Sequence, residues 1–236
     1  MKNLKITLIL GFICFTTNAQ KSIEKNINYQ NQYIDIDVKF ASFIEVKTWD
    51  KSDIYFKADL TTEDGKYLDL YTLDIDERSS TISIISNAKP IFKAFRKEWN
   101  KTNSKSNNGY YNSGDRYKFN YVIYVPKNAK FKISSINGSL KSEIINGDFE
   151  ADLINGDIDI ASYSGDLKLN TINGEIDLKI IDAQLVAETI HGDIYADEKL
   201  KFTSSNRHIG QKLAGSLGKA SNQLQLSTIN GNMYLR

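Results

Sequence analysis

Between Tyr33 and Ser86, apolar side chains fall at nearly every second position, through YIDIDVK, FIEVK, DIYFKAD, LYTLDID and TISIIS. A period of two turns one face of an extended chain to a core and the other to water, so these segments are predicted to be half-buried β-strands. The only prolines are Pro90 and Pro126, and Gly65 lies in a TTEDGK turn. The period changes once. In PIFKAFRKEWNK, Ile91, Phe95 and Trp99 stand at i, i+4 and i+8, with Phe92 widening the stripe. That spacing predicts a short amphipathic helix opened by Pro90. TNSKSNNGYYNSGDR follows as a loop rich in Asn, Ser and Gly, and strand alternation resumes in YKFNYVIYVPKNAKFKIS.

From Ser135 a longer period takes over. Gly138, Gly147, Gly156, Gly165, Gly174 and Gly192 keep a nine-residue spacing, with Ala183 in the one gap, and the register reads x-I-N-G-D-I-x-A-x. Ile136, Ile145, Ile154, Tyr163, Ile172, Ile181 and Ile190 precede the turn, and Leu140, Phe149, Ile158, Leu167, Ile176, Leu185 and Ile194 follow it. Both columns, with a mostly apolar column two residues later, are expected to face inward. Asn-Gly takes positive φ readily, because Gly lacks Cβ and Asn bonds its own backbone, so each copy should end in a corner. Hairpins would not give every arm the same face pattern in the same direction. A coil that stacks equivalent strands about 4.8 Å apart does. The expected fold is all-β, a parallel β-helix or β-solenoid of nine-residue strand repeats. Grouping alternate copies collects Ser164, Asp182 and Ala183 on one edge, which favours 18 residues per coil. Gly210, 18 residues after Gly192, supports that grouping, and TINGNMYLR is a last copy.

The first residues change the compartment. Lys2 and Lys5 precede an apolar run from Ile6 to Phe15, with Thr17-Asn18-Ala19 as a small-residue exit. This pattern predicts a signal peptide over 1–19, too short for a comfortable membrane span, and an exported product, periplasmic or extracellular. The one cysteine, Cys14, lies in that run, behind an Ile13 too large for good lipoprotein processing. Its loss with the leader would remove disulfide, thiol-nucleophile and thiolate-metal chemistry together. What remains divides into a β-strand region over 20–134, carrying a basic insertion at 89–116, and the INGD repeats over 135–236. The two are expected to be continuous as one domain.

The near-neutral total hides two blocks. Ser135 to Asp197 holds 13 Asp or Glu against three Lys, while Lys89 to Arg116 holds seven Lys or Arg against two acids. Nucleic-acid binding calls for a broad basic face, which this division does not provide.

VKTWDKSDIYFKA around Trp49, YVIYVPKNAKFKISSING and the INGDI series ending in LQLSTINGNMYL resemble a family of secreted bacterial adhesin-like domains of unknown function. The resemblance spans Tyr33 to Arg236. It implies a right-handed parallel β-helix, an envelope or extracellular location, and no catalytic residues to carry over. With no further domain expected after the last repeat, a periplasmic or freely secreted protein is favoured over surface display.

Three chemistries compete with simple display. Asp157, Glu175 and Asp193 should stack on one edge behind Ser139, with Asp148, Asp166 and Gln184 on the other. Carboxylates about 5 Å apart repel by roughly 0.8 kcal/mol in water, which a bound calcium would relieve. Yet the repeat has one glycine where calcium-binding nonapeptides have three, so solvated corner acids are the simpler reading and no metal is assigned. Asp159, Asp177 and Lys168 could share a face as in polysaccharide-acting β-helix enzymes, but alternating exposed charge is what any solvated strand shows. His191 stands in the Asn column and His208 in SSNRHIG. No third ligand accompanies them for zinc, and His191 reads as a turn residue.

The expectation is therefore a non-enzymatic exported solenoid without a cofactor. Its basic insertion, around Phe92, Phe95, Arg96 and Trp99, would engage an envelope protein or a glycan, unless those aromatics simply cap the core. Sticky solenoid ends at the Tyr33 strands and at Met233-Tyr234-Leu235 would leave end-to-end dimerisation open.

Overall fold

The computed structural model describes residues 20–78, 80–102, 116–198, 203–206 and 210–236. The leader with Cys14, nearly all of the loop after the helix, and His208 lie outside them. Strands β1 (Gln20–Asn28), β2 (Tyr33–Asp37), β3 (Phe40–Trp49), β4 (Asp53–Thr62), β5 (Thr72–Asp76) and β6 (Thr81–Asn87) precede helix α1 (Lys89–Thr102). Next come β7 (Tyr117–Pro126), β8 (Ala129–Ser142), β9 (Ile145–Asn155), β10 (Ile158–Ile160), β11 (Tyr163–Ser164), β12 (Leu167–Asn170), β13 (Ile176–Leu178), β14 (Ala183–Thr189) and β15 (Ile194–Ala196). The last are β16 (Thr203–Asn206), β17 (Gln211–Leu217), β18 (Asn222–Thr228) and β19 (Met233–Leu235).

The alternation forms strands as expected. In β4 every second residue, from Ile54 to Thr62, is buried. The strands make a large mixed sheet in which two runs meet at the long strand β8. One run passes from β5 through β6, β2, the first half of β8, β9, β12, β18, β14 and β17 to β16. The other passes from β1 through β4, β7, β3, the second half of β8, β10, β13 and β19 to β15. Pairing is parallel through the repeats and on to β15, and antiparallel at the other outer members β1, β5 and β16. Inward side chains of both runs join one apolar cluster, with the Phe131 and Phe149 rings stacked 4.5 Å apart at its middle.

The first repeats keep the expected register. Ile158 pairs with Leu140 on one side and Ile176 on the other, and Asn155 hydrogen-bonds Asn137 across 18 residues. The stacking order then departs from the chain order. Sequential winding would place β14 on β12 and β15 on β13, but the last copy lies between them. Leu224 of β18 pairs with both Leu167 and Leu185, and Met233 of β19 pairs with both Ile176 and Ile194. The side chains at the corners explain the choice. Asn137, Asn155, Asn173 and Asn230 form one amide ladder, with Asn173 donating to Asn155 at 2.8 Å and Asn230 donating to Asn173 at 2.8 Å. His191 in the fourth place would break it. The hydroxyls of Thr171, Thr228 and Thr189 donate to the carbonyls of Gly156, Gly174 and Gly231, each in the neighbouring repeat. On the other corner Asn222 accepts from the Gly165 amide and donates to the Asp182 carbonyl.

Two expectations change with this order. Gly210 directly precedes the antiparallel strand β17 and opens no further parallel repeat. Met233-Tyr234-Leu235 and the Tyr33 strand are interior members, so neither is a free end. Among the described strands β1, β5, β15 and β16 are outermost.

Candidate binding surface

On the first corner glycine is required by close approach. A Cβ at Gly156, Gly174, Gly231 or Gly192 would overlap the carbonyl oxygen of the glycine in the neighbouring repeat, and Gly147 and Gly165 combine a similar backbone overlap with φ of +138° and +126°. The acids that follow these corners are interrupted. Asn232 stands between Glu175 and Asp193, donating to Glu175 at 3.2 Å and accepting from the Asp193 amide at 3.0 Å. Asp157, Glu175 and Asp193 therefore do not form the continuous row expected of them, and on the other edge Gln223 separates Asp166 from Gln184. The remaining neighbours are hydrogen-bonded through backbone, as where the Glu175 amide donates to Asp157 at 2.9 Å. Among the described residues no three His, Cys, Asp or Glu side chains are grouped to hold a metal ion.

Asp159 and Asp177 do sit side by side, but they are held by Lys141 at 2.9 Å and Arg236 at 2.6 Å. Lys168 belongs to the other run, where it pairs with Glu150 at 3.1 Å, so the three do not share a face. His191 is exposed beside Asn230 and acts as a turn residue, its amide donating to the Ile229 carbonyl.

The helix places its aromatics mainly inward. Phe95 is 1% exposed, with Tyr67 edge-on at 5.0 Å. Phe92 is half-buried against Phe40 at 4.7 Å and Tyr117 at 4.9 Å. Trp99 is half-buried under the Arg116 guanidinium, and only Arg96 is exposed. Most of these aromatics thus cap the core, one of the two readings the sequence left open, because the i, i+4 spacing that makes the stripe amphipathic also turns it onto the sheet.

The apolar surface lies elsewhere. The column before the first corner was expected to face inward, yet Ile154, Ile172 and Ile190 are 38%, 39% and 44% exposed. Ile136 and Ile229 are partly exposed in the same column, so the order is Ile136, Ile154, Ile172, Ile229, Ile190. At about 4.8 Å per strand five rungs extend over roughly 19 Å. On the second corner Ile145 and Tyr163 are buried as expected, whereas Ile181 is 51% exposed. The contrast arises next door, where Ser135, Leu153, Thr171, Thr228 and Thr189 are buried and the following residue must point outward.

Ile136, Ile154, Ile172 and Ile229 form one wall of a 530 Å³ groove, faced by Asp37, Ser134, Asp152, Asn170 and Ser227. Thr228, Ile229, Thr189 and Ile190 continue it as a second hollow. The polar wall is held in place by bonds of its own. Lys132 pairs with Asp152, Asn170 donates to Asp152 at 2.8 Å, and Asp37 meets Lys39 at 3.0 Å. One Asp37 oxygen, Oδ1, is buried and makes no hydrogen bond.

No family model and no curated protein matches the sequence. Solved structures do. A Clostridium sporogenes protein described as a "putative cell adhesion protein" aligns at TM-score 0.56 and 12% identity, over 92% of this chain and 98% of its own. A Parabacteroides merdae protein described as a "putative adhesin" aligns at TM-score 0.34 and 12% identity, over 76% of this chain and 70% of its own. The first likeness places this chain in the same fold. Among the described residues no helix is long and apolar enough to cross a membrane.

Asp182 meets the chain where it returns to the inner slot. Its carboxylate accepts from the Ser221 amide at 3.3 Å, and hydrogen bonding with Ser221, followed by backbone amides of 219 and 220, holds its carboxyl below the usual range. A depressed carboxyl contributes stability above its unfolded pKa of about 3.9 and loses it as pH falls through the folded value. The melting difference between wild type and Asp182→Asn should therefore be present at pH 6 and shrink below about pH 4. Parallel thermal melts would show it, and a difference constant down to pH 2 would refute this role for the carboxylate.

Proposed function

We propose that the chain is an exported, non-enzymatic β-solenoid that acts by surface contact as an adhesin-like protein of the cell envelope. Its parallel ladders would wind with two strands and 18 residues per coil. The observation that supports this reading is the exposed isoleucine column with its polar facing wall. A repeat that could bury this column leaves it in water along five consecutive rungs, and exposed apolar surface of this extent marks interaction sites. The partner is an envelope protein or glycan that lies along the groove, with apolar contact on one side and hydrogen bonds on the other. The signal-peptide pattern supplies the route of export, and the likeness to the Clostridium sporogenes adhesion protein agrees with the role.

Ile154→Lys together with Ile172→Lys tests it, since both side chains already reach solvent. Binding of purified protein to immobilised envelope fragments should fall by about tenfold or more, the equivalent of roughly 1.4 kcal/mol for two lost apolar contacts. An unchanged melting temperature would show the fold intact. Equal binding by a folded variant would remove the groove from the account.

A further inference from the structure

The interleaved last copy builds a second surface on the other run, where it sets two tyrosines side by side. Tyr195 of β15 and Tyr234 of β19 stack with ring centroids 5.4 Å apart and planes 11° apart. Tyr195 is 53% exposed on a strand that is outermost among those described. Around the pair, Asp193 accepts from Gln211 at 2.9 Å, and Glu175 accepts from Asn232 at 3.2 Å and from the Tyr234 hydroxyl at 3.4 Å. These amides and the hydroxyl orient the carboxylates without neutralising them. Among the described residues neither Asp193 nor Glu175 has a cationic partner, and the neighbouring Arg236 is engaged with Asp177 at 2.6 Å. The Asp193 carboxylate also holds the Tyr195 hydroxyl above its usual pKa, a sign of negative potential at the ring.

We propose that the Tyr195–Tyr234 pair, with Asp193 and Glu175 beside it, is a docking site for arginine side chains of a basic polypeptide. An aromatic face attracts a cation through its quadrupole, and the attraction grows as the cation loses water. A guanidinium fits better than an ammonium because it is planar, stacks on a ring and offers a forked pair of donors to a carboxylate. Acidic glycans would be repelled by the same groups. The site is composite, because Tyr234 and Asn232 reach it only through the insertion of β19 between β13 and β15.

The test is a titration of the full chain with hexa-arginine, hexalysine and a glucosamine hexamer, followed by tyrosine fluorescence and calorimetry. Wild type should bind hexa-arginine tighter than hexalysine, and more weakly as salt is raised. Tyr195→Leu, which keeps apolar bulk, should cut hexa-arginine affinity about fivefold with the melt unchanged, and Asp193→Asn should weaken it further. Unchanged affinity in Tyr195→Leu would overturn the proposal. So would equal binding of the two peptides, which would reduce the site to a general acidic field. Binding of the glucosamine hexamer alone would assign the platform to a glycan and equally overturn it.

Discussion

Alanine at Gly231 is expected to lower the melting temperature by about 10 °C, corresponding to roughly 4 kcal/mol in a chain of this size. The added Cβ would overlap the Gly174 carbonyl oxygen and lie 2.6 Å from its carbon. Both atoms are backbone and belong to a ladder bonded on each side, so no side-chain rotation relieves the clash. Asn230→Ala removes an exposed amide bond from the neighbouring residue and should cost only about 1 kcal/mol. Thermal melts of the two variants against wild type would separate the roles within the repeated dipeptide. Similar losses from both would mean that the coils are less closely stacked at this corner.

Ending the chain at Leu217 should produce a still larger effect, and at a distance from the cut. Removal of β18 takes Leu224 and Leu226 from between Leu167 and Leu185 and between Leu169 and Ala187, and removal of β19 takes Met233 from between Ile176 and Ile194. Strand β14 then loses its parallel partner, and β14, β15 and β17 lose their link to the earlier strands. Hydrogen exchange should show 183–196 and 211–217 unprotected while strands up to β10 stay slow, since local stability follows buried contact and paired backbone. In a sequentially wound chain the same truncation would remove one terminal coil and leave 183–189 protected.

The strands, the helix and the 18-residue register were legible because each rests on a local period. The order in which the repeats stack was not. Thr171-Ile172-Asn173-Gly174, Thr189-Ile190-His191-Gly192 and Thr228-Ile229-Asn230-Gly231 all carry the same inward pattern, so hydrophobic alternation accepts any of them on any rung. What distinguishes them is His191 in an asparagine place and the exact recurrence of Thr-Ile-Asn-Gly at 171 and 228. That signal lies in side-chain ladders and not in periodicity. The isoleucine column was misread for a related reason. Ile145 and Ile154 look alike in sequence, but only the first has a buried position at its own corner. For Phe95 and Phe92 the sequence left both a core cap and a docking arm open, because a period of four specifies a stripe and leaves open what the stripe meets.

Both proposed surfaces depend on the insertion, which places Ile229 between Ile172 and Ile190 and sets Tyr234 against Tyr195. Paired cysteines test it directly, in a Cys14→Ser background without other thiols. Lys168 and Gln225 are register partners on adjacent strands, and about 4.8 Å between them suits a disulfide. Lys168 and Val186, 18 residues apart, have Gln225 between them, and about 9.6 Å is too far. Under mild oxidation Lys168→Cys with Gln225→Cys should crosslink rapidly, and Lys168→Cys with Val186→Cys should remain reduced. The reverse result would mean that the coils wind in chain order, and both surfaces would have to be redrawn.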